Sequence, residues 1–224
     1  VETTLAKNAK IAKQLVELFK LLFDPTKQNE SAASIPELEK ELQIALDAVA
    51  NLDEDRILRR LLEVLRATLR TNYFQNNEQG EPKAWISFKL NPSRIADIPL
   101  PRPLYEVFVY SPHVEAVHLR AAKVARGGIR WSDRREDFRT EVLGLMKAQN
   151  VKNAVIVPVG AKGGFFPKQL PVDGDRDAMM AEVIQAYSVF IRGLLDITDN
   201  FVNGALVHPE GVVIRDDDDP YLVV

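Results

Sequence analysis

Residues 124–165 decide the fold of this chain: VARGGIRWSDRREDFRTEVLGLMKAQNVKNAVIVPVGAKGGF. A glycine turn opens the stretch, and four residues after it share one face of a predicted helix: Phe138, Val142, Leu145 and Gln149. Residues 154–159 then form a continuous apolar run rich in β-branched side chains, which is typical of a parallel strand covered on both faces. A turn, a helix and a covered strand in this order predict an α/β layer.

The flanking sequence extends this layer. Alternating patterns predict strands at 84–90 and 104–110, and a more ambiguous pattern predicts a third strand at 114–125. A last helix begins within 173–177 and keeps its apolar residues at spacings of three and four. The predicted fold class is therefore α/β, or α+β over the whole chain, with a mixed, largely parallel sheet flanked by helices.

The first part of the chain predicts three packed helices. An apolar stripe at helical spacing runs from 5 to 23. Ser34 is the expected N-cap of the second helix, with Pro36 tolerated in its first turn. Asp53 is the expected N-cap of the third helix, which we predict to end near Tyr73.

These patterns divide the chain into a helical lead-in, 1–78, and an α/β domain, 79–224. The polar stretch 75–83, with one glycine and one proline, is the expected joint between them. The apolar run at 221–224 resembles a strand and has no polar tail after it. We therefore expect the chain to stop inside a larger protein.

Composition and charge exclude several classes of protein. The 224 residues are 46% hydrophobic and carry a formal net charge of −3, so neither nucleic acid nor an anionic membrane surface is an expected partner. The absence of cysteine excludes disulfides and thiolate metal sites. The sequence has neither a signal-peptide pattern nor a long uncharged apolar stretch, and the predicted location is the cytoplasm.

The segment 160–164, GAKGG, is the sharpest chemical signal. Its glycines let a small ligand approach the backbone and the Lys162 amine together. It is not a Walker phosphate loop, because the lysine precedes Gly163 and no hydroxyl residue follows it. The alternative is an ordinary strand-to-helix turn with a solvated lysine, which the spacing alone favours.

Three more residues are candidates for the same site. Gln149 and Lys152 stand three apart at the end of a helix, just before the strand that leads to Lys162. Arg126 begins a glycine turn that would aim its side chain, whereas a single RGG in an acidic chain is weak evidence for RNA binding. The alternative for Lys152 is a terminal lysine that complements the helix dipole, and the pattern alone favours it.

No metal site is predicted. The segment 173–177 imitates the start of an EF-hand, but the glycine and glutamate that the loop requires are missing. Residues 216–219 are four aspartates that we expect in a solvated loop. His113, His118 and His208 show neither metal spacing nor an obvious carboxylate partner in the sequence.

The stretch 124–165 closely resembles the large-subunit bacterial NAD-specific glutamate dehydrogenases. The resemblance is strong from 105 to 168, continues through SVFIRGLLDITDN (188–200) and DDDDPYLVV (216–224), and is weak over the first 75 residues. The shorter glutamate dehydrogenases have a similar order: a K-G-G-x-R turn, a helix ending Q-x-x-K, and a strand leading to G-G-A-K-G-G.

The resemblance implies a role for each candidate residue. Lys162 would be the catalytic lysine, Gln149 and Lys152 would hold the substrate α-carboxylate, and Arg126 would grip the side-chain carboxylate. Arg126 replaces the family's lysine, which keeps the charge but changes its reach and fork geometry. A single Gly160 follows Val159 where the shorter enzymes have two glycines, and the catalytic aspartate is expected beyond Val224.

The implied reaction converts L-glutamate, NAD and water into 2-oxoglutarate, ammonium and NADH. Two substrate anions suit two fixed cations, and burial beside cations moves a lysine pKa toward neutrality, where it can act as base and acid. No G-x-G-x-x-G follows any predicted strand, so NAD would be bound by a domain outside this chain. The resemblance alone selects NAD over NADP, and it implies a homo-oligomeric full-length enzyme with an inactive isolated fragment.

Two other hypotheses remain open at this point. The chain would be a non-catalytic dicarboxylate-binding or regulatory module if it kept the anion pocket without a cofactor partner. It would be a helical interaction domain if the first 75 residues carried the function and the α/β part were incidental.

Overall fold

The computed structural model describes residues 1–152, 160–171 and 175–224. The strand predicted at 154–159 lies outside these residues. Within them, a group of helices is followed by a six-stranded mixed sheet that is covered by two further helices. The predicted α/β class is confirmed.

The first 67 residues are helical, as predicted. They form α1 (Glu2–Lys7), α2 (Ala9–Phe23), α3 (Gln28–Asp47) and α4 (Leu52–Ala67). Their fully buried leucines make one core: Leu18, Leu42, Leu46 and Leu58. The apolar stripe over 5–23, predicted as one helix, is divided at Asn8 between α1 and α2. The Asn8 side-chain amide donates at 3.0 Å to the Thr4 carbonyl and at 3.0 Å to Glu54.

Two predicted helix starts are wrong. Helix α3 begins at Gln28, so Ser34 is not its N-cap and Pro36 lies inside the helix. Burial of α3 against α2 outweighs the one backbone hydrogen bond that Pro36 cannot donate. The N-cap of α4 is Asn51, whose Oδ1 accepts from the backbone N–H groups of Asp53 and Glu54, each at 3.0 Å.

The sheet has the strand order β1-β2-β3-β4-β6-β5. Its strands are β1 (Thr68–Thr71), β2 (Ile86–Leu90), β3 (Tyr105–Tyr110), β4 (Val114–Arg120), β5 (Ile129–Trp131) and β6 (Ala161–Pro167). The covering helices are α5 (Phe138–Lys152) and α6 (Arg176–Leu195), and a separate hairpin follows with β7 (Asn200–Val202) and β8 (Ala205–Val207). The helix predicted to reach Tyr73 ends at Ala67, because residues 68–71 pair with β2 instead.

The expectation of a largely parallel sheet is wrong. Among the described strands, β5 and β6 form the parallel pair, and the other neighbours are antiparallel. The connection 111–113 between β3 and β4 is three residues long, and a connection that short joins only antiparallel strands. The parallel pair has α5 in its connection, as a βαβ unit requires.

The two faces of the sheet have separate cores. On one face α6 buries Phe190 and Leu194 against β3, β4 and β6. On the other face α5 buries Val142 and Met146 against β4. Helix α6 is also long and apolar enough to cross a membrane by length and composition alone, but in this fold its inner face belongs to the sheet core.

The GAKGG segment is not the ordinary strand-to-helix turn that the spacing alone favours. Residues 161–167 form β6, and this strand lies between β4 and β5. A Cβ on Gly164 would lie 2.3 Å from Val142 Cγ2, so the missing side chain lets α5 pack directly on the strand. Gly164 therefore serves helix-to-sheet packing, and ligand access along 160–164 stays a prediction.

Replacing Gly164 by alanine is expected to destabilise the chain by about 1–3 kcal/mol, because the new methyl group overlaps Val142. Urea unfolding measures the loss. The double variant Gly164→Ala/Val142→Ala should lose less than the sum of the two single variants. Gly144→Ala is the control, because a Cβ there meets nothing within 4 Å. Equal losses at Gly144 and Gly164 would contradict the packing.

A buried ion network joins the sheet to the last residues of the chain. Arg70 is fully buried; its Nη1 donates to Asp199 at 2.7 Å and its Nε donates to Asp216 at 2.6 Å. Lys89 Nζ donates to Asp216 and Asp219, both at 2.6 Å. Burial raises the pKa of Asp199, but hydrogen bonds led by those from Arg70 outweigh this effect and lower the pKa to about 2.

Two predictions about the end of the chain are therefore wrong. Asp216 and Asp219 are buried partners of basic strand residues, although Asp217 and Asp218 in the same run remain exposed. The apolar run 221–224 is not a strand. Its backbone is instead bound by a side chain, because Arg120 Nη1 donates to the Tyr221 carbonyl at 2.5 Å.

The Arg70→Met variant should lose about 3–5 kcal/mol of unfolding free energy, because it leaves buried carboxylates without their cation. Lys123→Met is the matched control, since Lys123 pairs with Asp217 on the surface. Chemical denaturation of both variants checks this expectation. If Arg70→Met is as stable as the control, the network is not a main source of stability.

Candidate functional site

The Arg126 turn lies beside the beginning of β6. Arg126 forms a parallel bridge with Gly160, and the Arg126 carbonyl accepts from the Ala161 N–H at 3.1 Å. The Gly128 carbonyl accepts from the Gly163 N–H at 3.2 Å. These backbone bonds hold the turn alongside the residues that flank Lys162.

The turn approaches β6 so closely that residue 127 must be a glycine. A Cβ at this position would lie 1.6 Å from the Ala161 carbonyl oxygen and 2.8 Å from Gln149 Oε1. No side chain fits at the first of these distances, so only glycine allows the turn to reach the strand.

Gln149, on the last turn of α5, contacts the corner that the Arg126 turn forms with the start of β6. Its Nε2 donates to the Arg126 carbonyl at 2.9 Å. Its Oε1 is buried and accepts no hydrogen bond from the described residues. The amide therefore fixes the turn with one end and leaves a buried acceptor at the other.

Lys162 enters this corner from the strand. Side chains alternate along β6, so Lys162 shares a sheet face with Gly164, which is the face covered by α5. The Lys162 side chain is half-buried, and its Nζ lies 3.9 Å from the position of a Cβ on Gly128. Among the described residues its ammonium has no hydrogen-bond or ion-pair partner.

The structure thus brings together the Arg126 backbone, the Gln149 amide and the Lys162 amine. Residue Arg126 is exposed. Lys152 is the last residue of α5, and its side chain lies outside the described part of the chain. A half-buried amine beside a glycine turn and a free amide acceptor is an arrangement that suits a small polar ligand.

The histidines have partners that their spacing did not reveal. His113 Nδ1 lies 3.1 Å from Glu182, and His208 Nδ1 lies 2.8 Å from Asp199, so the expectation of no carboxylate partner is wrong for both. These partners are 69 and 9 residues away in sequence, and no local pattern marks them. Asp199, His208 and Asp218 also lie close enough to share an ion, but Asp199 already accepts from Arg70.

Comparison with known proteins assigns the chain to a family. Residues 41–224 match the family described as bacterial NAD-glutamate dehydrogenase, catalytic domain. The chain is 56% identical over 224 residues to the NAD-specific glutamate dehydrogenase of Halomonas elongata and 56% identical over 227 residues to that of Pseudomonas aeruginosa. It is 50% identical over 234 residues to the enzyme of the same name from Mycobacterium tuberculosis.

The chain belongs to the bacterial NAD-glutamate dehydrogenase catalytic-domain family. All of this chain is covered in each of these three comparisons, but it spans 14% of the length of each relative. The resemblance to this family, which was predicted from residues 124–165, is confirmed.

His118 gives the fold a pH dependence of known sign. Burial, followed by the charge of Arg120, lowers the pKa of His118 from 6.5 to about 4. Below about pH 6.5 the unfolded chain binds a proton at His118, whereas the folded chain binds this proton only below about pH 4. Stability should fall by on the order of 3 kcal/mol as the pH drops through this window.

The His118→Gln variant lacks this titration. Its unfolding free energy, measured by urea denaturation from pH 7 to pH 4, should fall less steeply than that of the wild type. Identical slopes for the two proteins would show that His118 is not held neutral in the fold.

Proposed function

We propose that this chain supplies the glutamate-binding site and the catalytic lysine of an NAD-dependent glutamate dehydrogenase. The full-length enzyme would convert L-glutamate, NAD and water into 2-oxoglutarate, ammonium and NADH. The observation that carries the proposal is the half-buried Lys162 amine, which stands beside the Gly127–Gly128 turn without a partner among the described residues.

Recognition of the substrate rests on charge. Glutamate carries two carboxylates, and a site that holds both needs at least two fixed cations. Arg126 would bind the side-chain carboxylate, and Lys152 with Gln149 would bind the α-carboxylate. Gln149 Nε2 already donates one N–H to the Arg126 carbonyl, and its second N–H is the group that would donate to the α-carboxylate. The bond to Arg126 orients the amide, so binding costs little further ordering.

Lys162 would transfer protons from and to the substrate. Oxidative deamination needs a base near the substrate amine and an acid in later steps, and a lysine amine serves both purposes when its surroundings favour the neutral form. Substrate carboxylates held by Arg126 and Lys152 would orient the α-carbon toward Lys162. The family's catalytic aspartate would come from beyond Val224.

The cofactor would be bound mainly outside this chain. Residues 1–224 contain no G-x-G-x-x-G fingerprint, so the residues present do not form a recognisable dinucleotide site. The NAD-specific names of the relatives support NAD for the full-length protein. We also propose a cytoplasmic homo-oligomer, and an isolated chain that binds substrate without turning it over.

The Lys162→Ala variant of the full-length enzyme should lose about 10²–10⁴-fold in kcat and still bind glutamate, because it removes the proton acceptor and leaves the proposed carboxylate contacts. Lys147→Ala is the control, since Lys147 is an exposed lysine of the same helix that carries Gln149. Steady-state NADH formation and equilibrium binding measure the two effects.

Near-normal turnover in the Lys162→Ala enzyme would contradict the role of the lysine. The non-catalytic alternative predicts a different pair of results. The full-length wild-type protein would show no turnover, and the isolated chain would still bind 2-oxoglutarate as a dicarboxylate-binding module. Calorimetric titration of 2-oxoglutarate into the chain provides this second measurement, with Arg126→Ala expected to weaken the binding.

A further inference from the structure

A small cavity lies on the α6 side of the sheet, away from the face that carries Lys162. Its lining includes seven polar and aromatic residues: Lys89, Tyr105, His118, Arg120, Thr198, Asp219 and Tyr221. Its volume is about 20 Å³. A buried water needs roughly 10–15 Å³ of such space, so the cavity has room for one water and for little more.

Two residues that line this cavity each have a buried polar atom without a partner among the described residues. His118 is 3% exposed and its Nε2 is unpartnered, and Arg120 is 6% exposed and its Nε is unpartnered. The remaining Arg120 nitrogens are engaged, because Nη2 donates to both Asp219 oxygens and Nη1 donates to the Tyr221 carbonyl. A native fold rarely leaves such buried atoms unsatisfied.

The charges at the cavity favour a neutral ligand. The cations Lys89 and Arg120 are both paired with Asp219, and Lys89 also binds Asp216. The cavity borders a network in which three cations, Arg70, Lys89 and Arg120, are paired with three carboxylates, Asp199, Asp216 and Asp219. No net positive charge therefore remains in the network to hold an anion. The ligand must accept from Arg120, which can only donate, and must also suit a neutral imidazole nitrogen.

We propose that this cavity is a binding site for one ordered water, which accepts a hydrogen bond from Arg120 Nε and donates one to His118 Nε2. The two residues stand two apart on β4, so their side chains lie on one face with Cα atoms about 7 Å apart. A water that makes two hydrogen bonds of about 2.9 Å bridges atoms that are as much as roughly 5–6 Å apart. Burial keeps His118 neutral, with its pKa lowered to about 4, so that its ring can accept.

The water would couple two parts of the fold. The His118 ring packs against β6, with Cδ2 at 3.3 Å from the position of a Cβ on Gly163. Arg120 binds the Asp219 carboxylate and the Tyr221 backbone of the last segment. The bridge would therefore connect the His118 ring, which packs on the strand that carries Lys162, to the ion network.

A crystal structure of the chain at a resolution that shows ordered waters tests the proposal. The expected result is a single peak within hydrogen-bonding distance of both His118 Nε2 and Arg120 Nε. Crystals soaked in bromide separate water from an anion, because bromide gives an anomalous signal. A cavity without density, or one that bromide fills, would overturn the proposal.

The His118→Phe variant extends the test. Phenylalanine removes the acceptor and occupies more space, so the peak should disappear, whereas His113→Phe, outside this cavity, should keep it. Water-proton relaxation dispersion on the wild-type chain gives a solution measurement that needs no variant. It should detect a long-lived internal water that the His118→Phe protein lacks, and its absence from the wild type would also contradict the site.

Discussion

The candidate site depends on one close backbone contact, between Gly127 and Ala161. The space at Gly127 is so small that a Cβ there would lie 1.6 Å from the Ala161 carbonyl oxygen. This contact holds the glycine turn against β6, and it fixes where Arg126, Gln149 and Lys162 stand relative to one another. A larger residue at 127 would separate the turn from the strand, and the proposed substrate site would be lost with it.

A second constraint holds the sheet and the end of the chain together. Basic side chains from β1, β2 and β4 point to one cluster of carboxylates, which come from the segments after α6. Buried charges tolerate few rearrangements, because any shift leaves an ion without its partner. The network therefore specifies how residues 199–221 cross the sheet, and it surrounds the cavity for which we propose a water.

Much of the fold could be predicted, because its signals are local. The helix of 176–195 and the strands β2 and β3 follow from apolar periodicity, and β4 falls within the more ambiguous pattern at 114–125. Strand β1 and the burial of Asp216 could not be predicted, because their partners lie far away: Arg70 and Asp216 are 146 residues apart. The site residues were marked by the family resemblance, whereas the Gln149 bond to Arg126 depends on how α5 and the turn pack.

The proposed function requires that Lys162, Gln149 and the Arg126 turn form one substrate site. A crystal structure of the chain with 2-oxoglutarate tests this claim most directly. We expect the ligand at this corner, with one carboxylate on Arg126 and its keto group facing Lys162 Nζ. A ligand bound elsewhere on the sheet, or a Lys162 amine turned away from it, would contradict the account.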